Sequence, residues 1–262
     1  MITQQYNNED HQYINTGNNG IGAQVNRLKR FFSDGFHKML LLATLDLRVY
    51  NIKMAIKNLY IIRHGETAFN KQNIVQGSGV DTDLNETGRN QAALFYKHYQ
   101  SINFDVVYTS ALKRSQQSVQ GFIDLGINHI ALPELNEISW GDFEGKQQTP
   151  EQRAFYWQLI DQWNTGNLDA KIPNGESPLE MQARQQGAAE RILKATHEQN
   201  VLICMHGRAM KSFLCLLLHK PLTEMETFQH TNLCLYQLAS NDFGRFDVVR
   251  FNDTQHLVEH QI

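Results

Sequence analysis

Two apolar runs that each end in a histidine-glycine pair constrain the fold of this chain more than any other feature. The first run, 59–62, leads into Arg63-His64-Gly65, and the second, 201–205, leads into His206-Gly207. Short apolar runs with such boundaries are typical of buried β-strands. In open α/β sheets, ligands bind just beyond the carboxyl ends of the strands. The two histidines therefore predict a paired site at one edge of a sheet.

From Met54 onward, short apolar runs alternate with longer stretches of helical character. This alternation predicts an α/β fold, a three-layer α/β/α sandwich with a mostly parallel central sheet. Strands are predicted over 58–63, 104–109, 128–132, 201–205, 233–238 and 246–251. Helices are predicted over 86–101, 110–124, 150–164, 177–198 and 207–218, with Ser110 and Ser177 as N-caps. The segment 141–175 is rich in turn residues and is predicted to leave the sheet and return.

Composition limits the class of protein and of ligand. The chain has 262 residues, 41% hydrophobic and 19% charged, with a net charge of -3, so it shows no general nucleic-acid footprint. An anionic ligand must therefore be met by local positive charge. Cys204, Cys215 and Cys234 have no metal-binding or paired spacing, which favours a reducing, cytoplasmic setting.

The first 53 residues differ from the rest of the chain. They open with a stretch rich in Asn, Gln and Gly and continue into one marginal amphipathic helix over about 24–47. We interpret 1–53 as a flexible or spurious extension and 54–262 as the catalytic domain, with Met54 as a candidate true start. A membrane anchor is the less favoured alternative, because the apolar run 39–43 is far too short to span a bilayer.

Charged side chains follow two further predicted strands. Ser110 ends the strand 104–109, and Arg114 comes about one helical turn later, where its guanidinium could meet that of Arg63 around a phosphate group. Alternatively, each arginine is a solvated surface charge. Glu137 lies among apolar residues, where a carboxyl group could donate and accept protons, or could simply be held by a backbone amide.

A series of motifs occurs in a fixed order along the chain. They are Arg63-His64-Gly65-Glu66-Thr67, Asn70, Gln76-Gly77, Leu84 with Gly88 and Gln91, Ser110 with Arg114, Leu135-Asn136-Glu137, Phe143-Glu144-Gly145, Gly175-Glu176-Ser177 and His206-Gly207. In this order, over about 57–240, the chain resembles the histidine phosphatase superfamily, also called the phosphoglycerate mutase-like family.

The resemblance implies a two-step phosphoryl transfer. His64 would attack phosphorus and form a phosphohistidine, which water then hydrolyses. Arg63, Arg114 and His206 would surround the phosphoryl group, and Glu137 would protonate the leaving oxygen and later activate the water. The residues carried over as substrate-binding are Asn70, Thr67, Gln76, Gly77 and Gly207. The implied partner is a small-molecule phosphomonoester, and no metal or other cofactor is required.

Three readings of this family resemblance remain open. A phosphatase is favoured over a mutase, because only 142 residues separate His64 from His206 and mutases usually carry a longer insertion there. The pair Gln76-Gly77 also resembles the hydrolytic branch, although 78–81 lacks the aromatic residue often found after this glycine. A non-catalytic phosphate-binding module is the third reading, which the complete set of catalytic residues disfavours.

The segment 141–175 is expected to cover the pocket and to influence substrate choice. It holds five aromatic residues but only three cations, Lys146, Arg153 and Lys171. This favours a monophosphate with an apolar or aromatic body, such as a nucleoside-like or α-ribazole-type phosphate. Alternatively, the residues Tyr156, Leu159, Ile160 and Trp163 form the buried face of a helix. The histidines His219, His230, His256 and His260 are interpreted as surface or core residues rather than metal ligands. The oligomeric state is left open.

Overall fold

A six-stranded sheet forms the centre of the protein in the computed structural model, which describes residues 56–241 and 245–258. Its strands are β1 (Asn58–Arg63), β2 (Val106–Thr109), β3 (His129–Ala131), β4 (Asn200–Met205), β5 (Leu235–Ser240) and β6 (Phe246–Asp253), in the order β3-β2-β4-β1-β5-β6. All six predicted strands are confirmed, with ends that differ from the prediction by at most two residues. The predicted helix over 24–47, the boundary after residue 53 and His260 lie outside the described residues.

The pairing of β1 with β4 brings the two histidine-glycine pairs together. These strands are parallel, and Arg63 at the end of β1 is opposite Met205 at the end of β4. The His64 N–H donates to the Met205 carbonyl at 2.9 Å. β2 and β3 continue the parallel half of the sheet, whereas β5 is antiparallel to β1 and β6 is antiparallel to β5. His64 and His206 therefore leave the sheet side by side, as the sequence predicts.

Helices cover both faces of the sheet. After the short α1 (Ala68–Lys71), the helices on one face are α2 (Glu86–Tyr99), α3 (Lys113–Ser118) and α4 (Gln120–Asp124), and those on the other are α5 (Pro150–Asn164), α6 (Pro178–Lys194) and α7 (Gly207–Leu217). Ile61 of β1 packs with the second set, and its neighbour Ile62 packs with the first. Such two-sided burial is typical of parallel sheets. The three-layer sandwich is confirmed.

One of the two predicted N-caps is correct. Ser177 accepts a hydrogen bond from the Glu180 N–H and starts α6 in a capping box. The prediction of one helix over 110–124 capped by Ser110 is wrong. That helix begins at Lys113. The Ser110 hydroxyl contacts a ring nitrogen of His206 at 2.7 Å and accepts from the Leu112 N–H at 3.2 Å, so it caps none of the N–H groups of the first turn.

The same stretch divides into α3 and α4 at Val119. Ser118, just before the break, donates its hydroxyl to the Arg114 carbonyl at 2.6 Å and accepts from the Gly65 N–H at 2.8 Å. A serine bonded back to the carbonyl four residues earlier tends to bend a helix. At this break, the Ser118 side chain links α3 to the loop that carries His64.

The segment 141–175 leaves the sheet and returns, as predicted. It contains α5 and a 3-10 turn at Gly141–Phe143, and none of its residues joins a named strand. Leu159, Ile160 and Trp163 are buried in the core, which confirms the packing alternative for these three residues. Across the described residues, no helix combines the length and the apolar character needed to cross a membrane.

Candidate active site

His64 is held with one ring nitrogen turned toward the protein. Its Nδ1 lies 2.7 Å from the Gly65 carbonyl, so Nδ1 carries the hydrogen and Nε2 keeps its lone pair. Burial lowers the pKa of His64 well below its ordinary value, and the charges of Arg114 and Arg63 lower it further. The ring is therefore neutral at neutral pH, the form in which a histidine can act as a nucleophile.

A close approach of two backbones fixes the loop behind His64. A Cβ on Gly65 would come within 2.7 Å of the Gly88 carbonyl, and a Cβ on Gly88 would come within 2.1 Å of the Glu66 carbonyl. Both positions therefore require glycine. The N-terminus of α2 can in this way pack directly against the residues that follow β1.

His206 and Arg114 form a buried pair beside His64. The two imidazole rings lie 5.1 Å apart between centroids. The Arg114 Nε donates to His206 Nδ1 at 3.2 Å, and the opposite nitrogen, Nε2, contacts Ser110. Burial and the Arg114 charge lower the pKa of His206 well below its ordinary value. His206 is thus a neutral ring whose two nitrogens are both engaged.

Arg114 itself is fully buried. Its other guanidinium nitrogens donate to the carbonyls of Val80, at 2.5 Å, and Gly77, at 3.2 Å. Burial lowers its pKa to about 10, and nearby carboxylates such as that of Glu137 oppose this effect. The surface alternative for Arg114 is therefore wrong, and its positive charge lies next to both histidines.

Arg63 contributes a second guanidinium. Its Nη1 donates to His230 Nδ1 at 3.3 Å, while its buried Nε has no hydrogen-bond partner within the described ranges. Buried donors are nearly always paired in native proteins, with protein, water or ligand. An anionic ligand beside His64 would supply the acceptor that the Arg63 Nε needs.

Glu137 lies at the N-terminus of α7. Its Oε1 accepts from the N–H groups of Ile138 at 3.0 Å and Ala209 at 2.7 Å, and its Oε2 accepts from that of Arg208, at 3.1 Å. Arg184 supports the same loop by donating to the Glu137 carbonyl at 3.1 Å. Glu137 is 7% exposed, and among the described residues Oε2 has one N–H donor where Oε1 has two.

A cavity of about 450 Å³ joins these groups. Its wall includes Arg63, His64, Asn70, Gln76, Glu137 and Gly207 from the predicted set. Arg114 and His206 lie behind this wall. Thr67 and Gly77 also lie behind it. Thr67 caps α1 and accepts a hydrogen bond from the Gln76 side chain at 2.8 Å, and the Gly77 carbonyl accepts one from the Arg114 guanidinium.

Other lining residues were not predicted as functional. His230, interpreted from sequence as a surface or core residue, lines the cavity, and its ring fills the space that a Cβ on Gly207 would occupy. Arg208 and Asn232 also line it, and Asn232 donates to the His64 carbonyl at 2.9 Å. The one available signal was Arg208, a cation directly after His206-Gly207 in a mostly apolar helix.

Other groups with reactive side chains lie apart from the cavity. Cys204, Cys215 and Cys234 are buried free thiols, and burial raises the pKa of Cys215 to about 12. Among the described residues, no group of three or more histidine, cysteine or acidic side chains has the arrangement of a metal site.

A family model described as the histidine phosphatase superfamily (branch 1) matches residues 59–254. The chain belongs to this superfamily, and the phosphoglycerate mutase-like resemblance is confirmed. Relatives named after both phosphatases and mutases are similar to it, which supports an enzyme.

Two of these relatives are known from sequence. A Hydrogenobacter thermophilus protein, provisionally named phosphoserine phosphatase 2, is 29% identical over 170 residues, 62% of this chain and 79% of that protein. The Yersinia pestis protein GpmB, provisionally named a phosphoglycerate mutase, is 30% identical over 167 residues, 62% of this chain and 75% of that protein.

A solved structure has the same fold. The α-ribazole phosphatase from Shigella flexneri is 25% identical and superposes with a TM-score of 0.66, over 75% of this chain and 96% of that one.

Proposed function

We propose that this chain is a metal-independent phosphomonoesterase that hydrolyses a small-molecule phosphate ester through a phosphohistidine on His64. The observation that carries the proposal is the hydrogen bond from His64 Nδ1 to the Gly65 carbonyl, which leaves the Nε2 lone pair of a neutral, cavity-lining ring available. A histidine held in this tautomer is suited to covalent catalysis.

In the first half-reaction, the His64 Nε2 lone pair forms a bond to phosphorus while the bond from phosphorus to the ester oxygen breaks. Glu137 gives its proton to that oxygen through Oε2, the carboxyl oxygen with a single N–H donor. In the second half-reaction, Glu137 takes a proton from water, and the water oxygen displaces His64 from phosphorus.

Positive charge around His64 would stabilise the transferring phosphoryl group. Arg63 offers its unpaired Nε as a donor, and Arg114 supplies a buried positive charge. His206, a neutral ring with both nitrogens engaged, accepts from Arg114 and lies beside His64. Fixed donors of this kind stabilise the charge on the phosphoryl oxygens in the transition state. Asn70, Gln76 and Gly207 would complete the binding surface, with Thr67 and Gly77 supporting it from behind.

A phosphoglycerate mutase-type transferase is the second candidate, favoured by the similarity to GpmB. A panel of phosphate esters, run with and without excess chelator on wild type and His64→Ala, tests the proposal. We expect inorganic phosphate release that survives chelator and is lost in the variant. Loss with chelator would refute the metal-independent mechanism, activity in His64→Ala would refute the nucleophile, and transfer to an acceptor without phosphate release would favour the mutase.

A further inference from the structure

Two buried cations near the start of α7, Arg208 and Lys211, form a charged cluster with Tyr156 of α5 and the half-buried Glu226, and the proposed reaction does not use this cluster. We call Tyr156, Arg208, Lys211 and Glu226 the Arg208 cluster. Arg208 and Lys211 both pair with the single carboxylate of Glu226, Lys211 at 2.7 Å. The cluster thus holds one positive charge more than its carboxylate balances. Arg208 and Lys211 are each only 7% exposed.

Stability alone does not account for this arrangement. A buried ion pair needs one cation for each carboxylate, and a further buried charge is costly. At Lys211, burial and then the neighbouring Arg208 charge lower the pKa of the ammonium group, although the carboxylates of Glu226 and Glu137 oppose this. Such a cost is expected where the extra charge serves a ligand.

The Arg208 cluster reaches the cavity through two of its members, Arg208 and Tyr156. The Arg208 Nη2 donates to the Tyr156 hydroxyl at 2.8 Å, so the hydroxyl hydrogen remains free to donate elsewhere. The guanidinium carbon also lies over the Trp163 ring, 5.4 Å from its centroid, a favourable contact for a cation.

Arg208 also lies next to the proposed catalytic groups. Its main-chain N–H holds Glu137, and the cationic residues of the described cavity wall are Arg63 and Arg208. Arg63 is committed to the phosphoryl group in the proposed reaction. The remaining positive charge at the wall is therefore that of Arg208, and it comes from α7 rather than from the segment 141–175, whose Lys146, Arg153 and Lys171 do not line the cavity.

We propose that Arg208 and the Tyr156 hydroxyl form a second anionic subsite, so that the substrate is a phosphomonoester whose body carries another acidic group. This rests on the proposed function and departs from the apolar body expected from sequence. The subsite recognises a carboxylate or a second phosphate by charge-assisted hydrogen bonds.

Binding of small phosphonates tests the subsite without requiring turnover. We expect the full chain to bind 3-phosphonopropionate at least about tenfold more tightly than propylphosphonate in calorimetry, the size of effect typical of a hydrogen bond to a charged group. The affinity ratio of methylenediphosphonate to methylphosphonate gives the same preference for a second phosphate. The larger of the two ratios shows whether the subsite prefers a phosphate or a carboxylate. In Arg208→Gln we expect 3-phosphonopropionate to bind at most about threefold more tightly than propylphosphonate. Arg208→Lys should retain part of it, and Tyr156→Phe should lose part of it.

Lys194→Gln is the matched control, because Lys194 is an exposed cation on α6 that pairs with Glu190. It should keep the full preference. Equal affinity of wild type for the charged and uncharged phosphonates would overturn the subsite, and so would a preference that persists in Arg208→Gln. Kinetics separate this outcome from failure of the proposed function. If the enzyme hydrolyses acidic and uncharged esters with equal kcat/KM, only the subsite is overturned. If the enzyme releases no phosphate but still binds the acidic phosphonates selectively, only the proposed hydrolysis is overturned.

Discussion

In a histidine ring, the partner of one nitrogen decides what the other nitrogen can do, as His64 and His230 show. For His64 the partner is a carbonyl, which leaves a nucleophilic nitrogen, and for His230 it is the Arg63 guanidinium, which leaves an N–H donor. His64 and His206 could be predicted because each directly follows an apolar strand. His230 could not, because it reaches the cavity from a loop after α7, where no local pattern marks it. Arg208 was missed because a cation in a helix is usually a surface charge.

A Glu137→Gln substitution should separate the two proton-transfer steps. The amide cannot protonate a leaving oxygen, so we expect kcat for an alkyl phosphate to fall at least about a hundredfold, since general acid catalysis contributes that much or more. Phosphorylation of the enzyme by 4-nitrophenyl phosphate should be affected far less, because nitrophenolate leaves without a proton. Rapid-quench measurement of both esters checks this, and an equal loss for both would argue against Glu137 as the acid.

At the scale of secondary structure, elements with a strong hydrophobic pattern could be predicted from sequence. The helix whose side chains bond to the active-site loops could not. The strands and α5 have nearly their predicted bounds, because burial on both faces and the capping box at Thr149 are local properties. The stretch 110–124 was predicted wrongly because Ser110 and Ser118 bond across the fold, to His206 and to Gly65. These long-range partners have no trace in the local sequence.

Two glycine substitutions in helices should have opposite effects. Gly88→Ala would place a Cβ 2.1 Å from the Glu66 carbonyl at the start of α2, so we expect a loss of about 1 to 3 kcal/mol in the free energy of unfolding, together with reduced activity. Gly187→Ala, in α6, meets no neighbour and should stabilise by about 0.5 to 1 kcal/mol. Urea unfolding measures both. A neutral Gly88→Ala would contradict the close packing of α2 against the β1 loop.

Over the described part of the molecule, a mostly parallel sheet with two covered faces brings four separate segments to one site. β1 delivers His64, β4 delivers His206, α3 delivers Arg114, and the loop after β3 delivers Glu137. Concentrating arginines and histidines there has a cost, because burial and neighbouring guanidinium charges lower the pKa values of His64, His206 and His230, that of His230 to about 3. The fold and the identity of most site residues could be predicted, but this coupling could not.

The lowered pKa values predict how stability depends on pH. Below about pH 6.5 the unfolded chain protonates these histidines while the folded chain does not, so the unfolded state binds more protons and stability falls as pH decreases. Each histidine contributes at most about 1.4 kcal/mol per pH unit. His230→Asn should therefore show a shallower loss between about pH 7 and about pH 5 in urea unfolding. An unchanged slope would contradict a neutral His230 in the folded protein.

Trapping the phosphorylated enzyme is the most direct test of His64 as nucleophile. Wild type mixed with a rapidly reacting phosphate ester and quenched in alkali, where phosphohistidine survives, should gain the mass of one phosphoryl group, located by fragmentation at His64. His64→Asn should gain none, whereas His197→Asn, at a histidine with 83% side-chain exposure, should be labelled like wild type. Phosphate release without any labelled intermediate, or a label on another residue that persists in His64→Asn, would show that His64 is not the nucleophile.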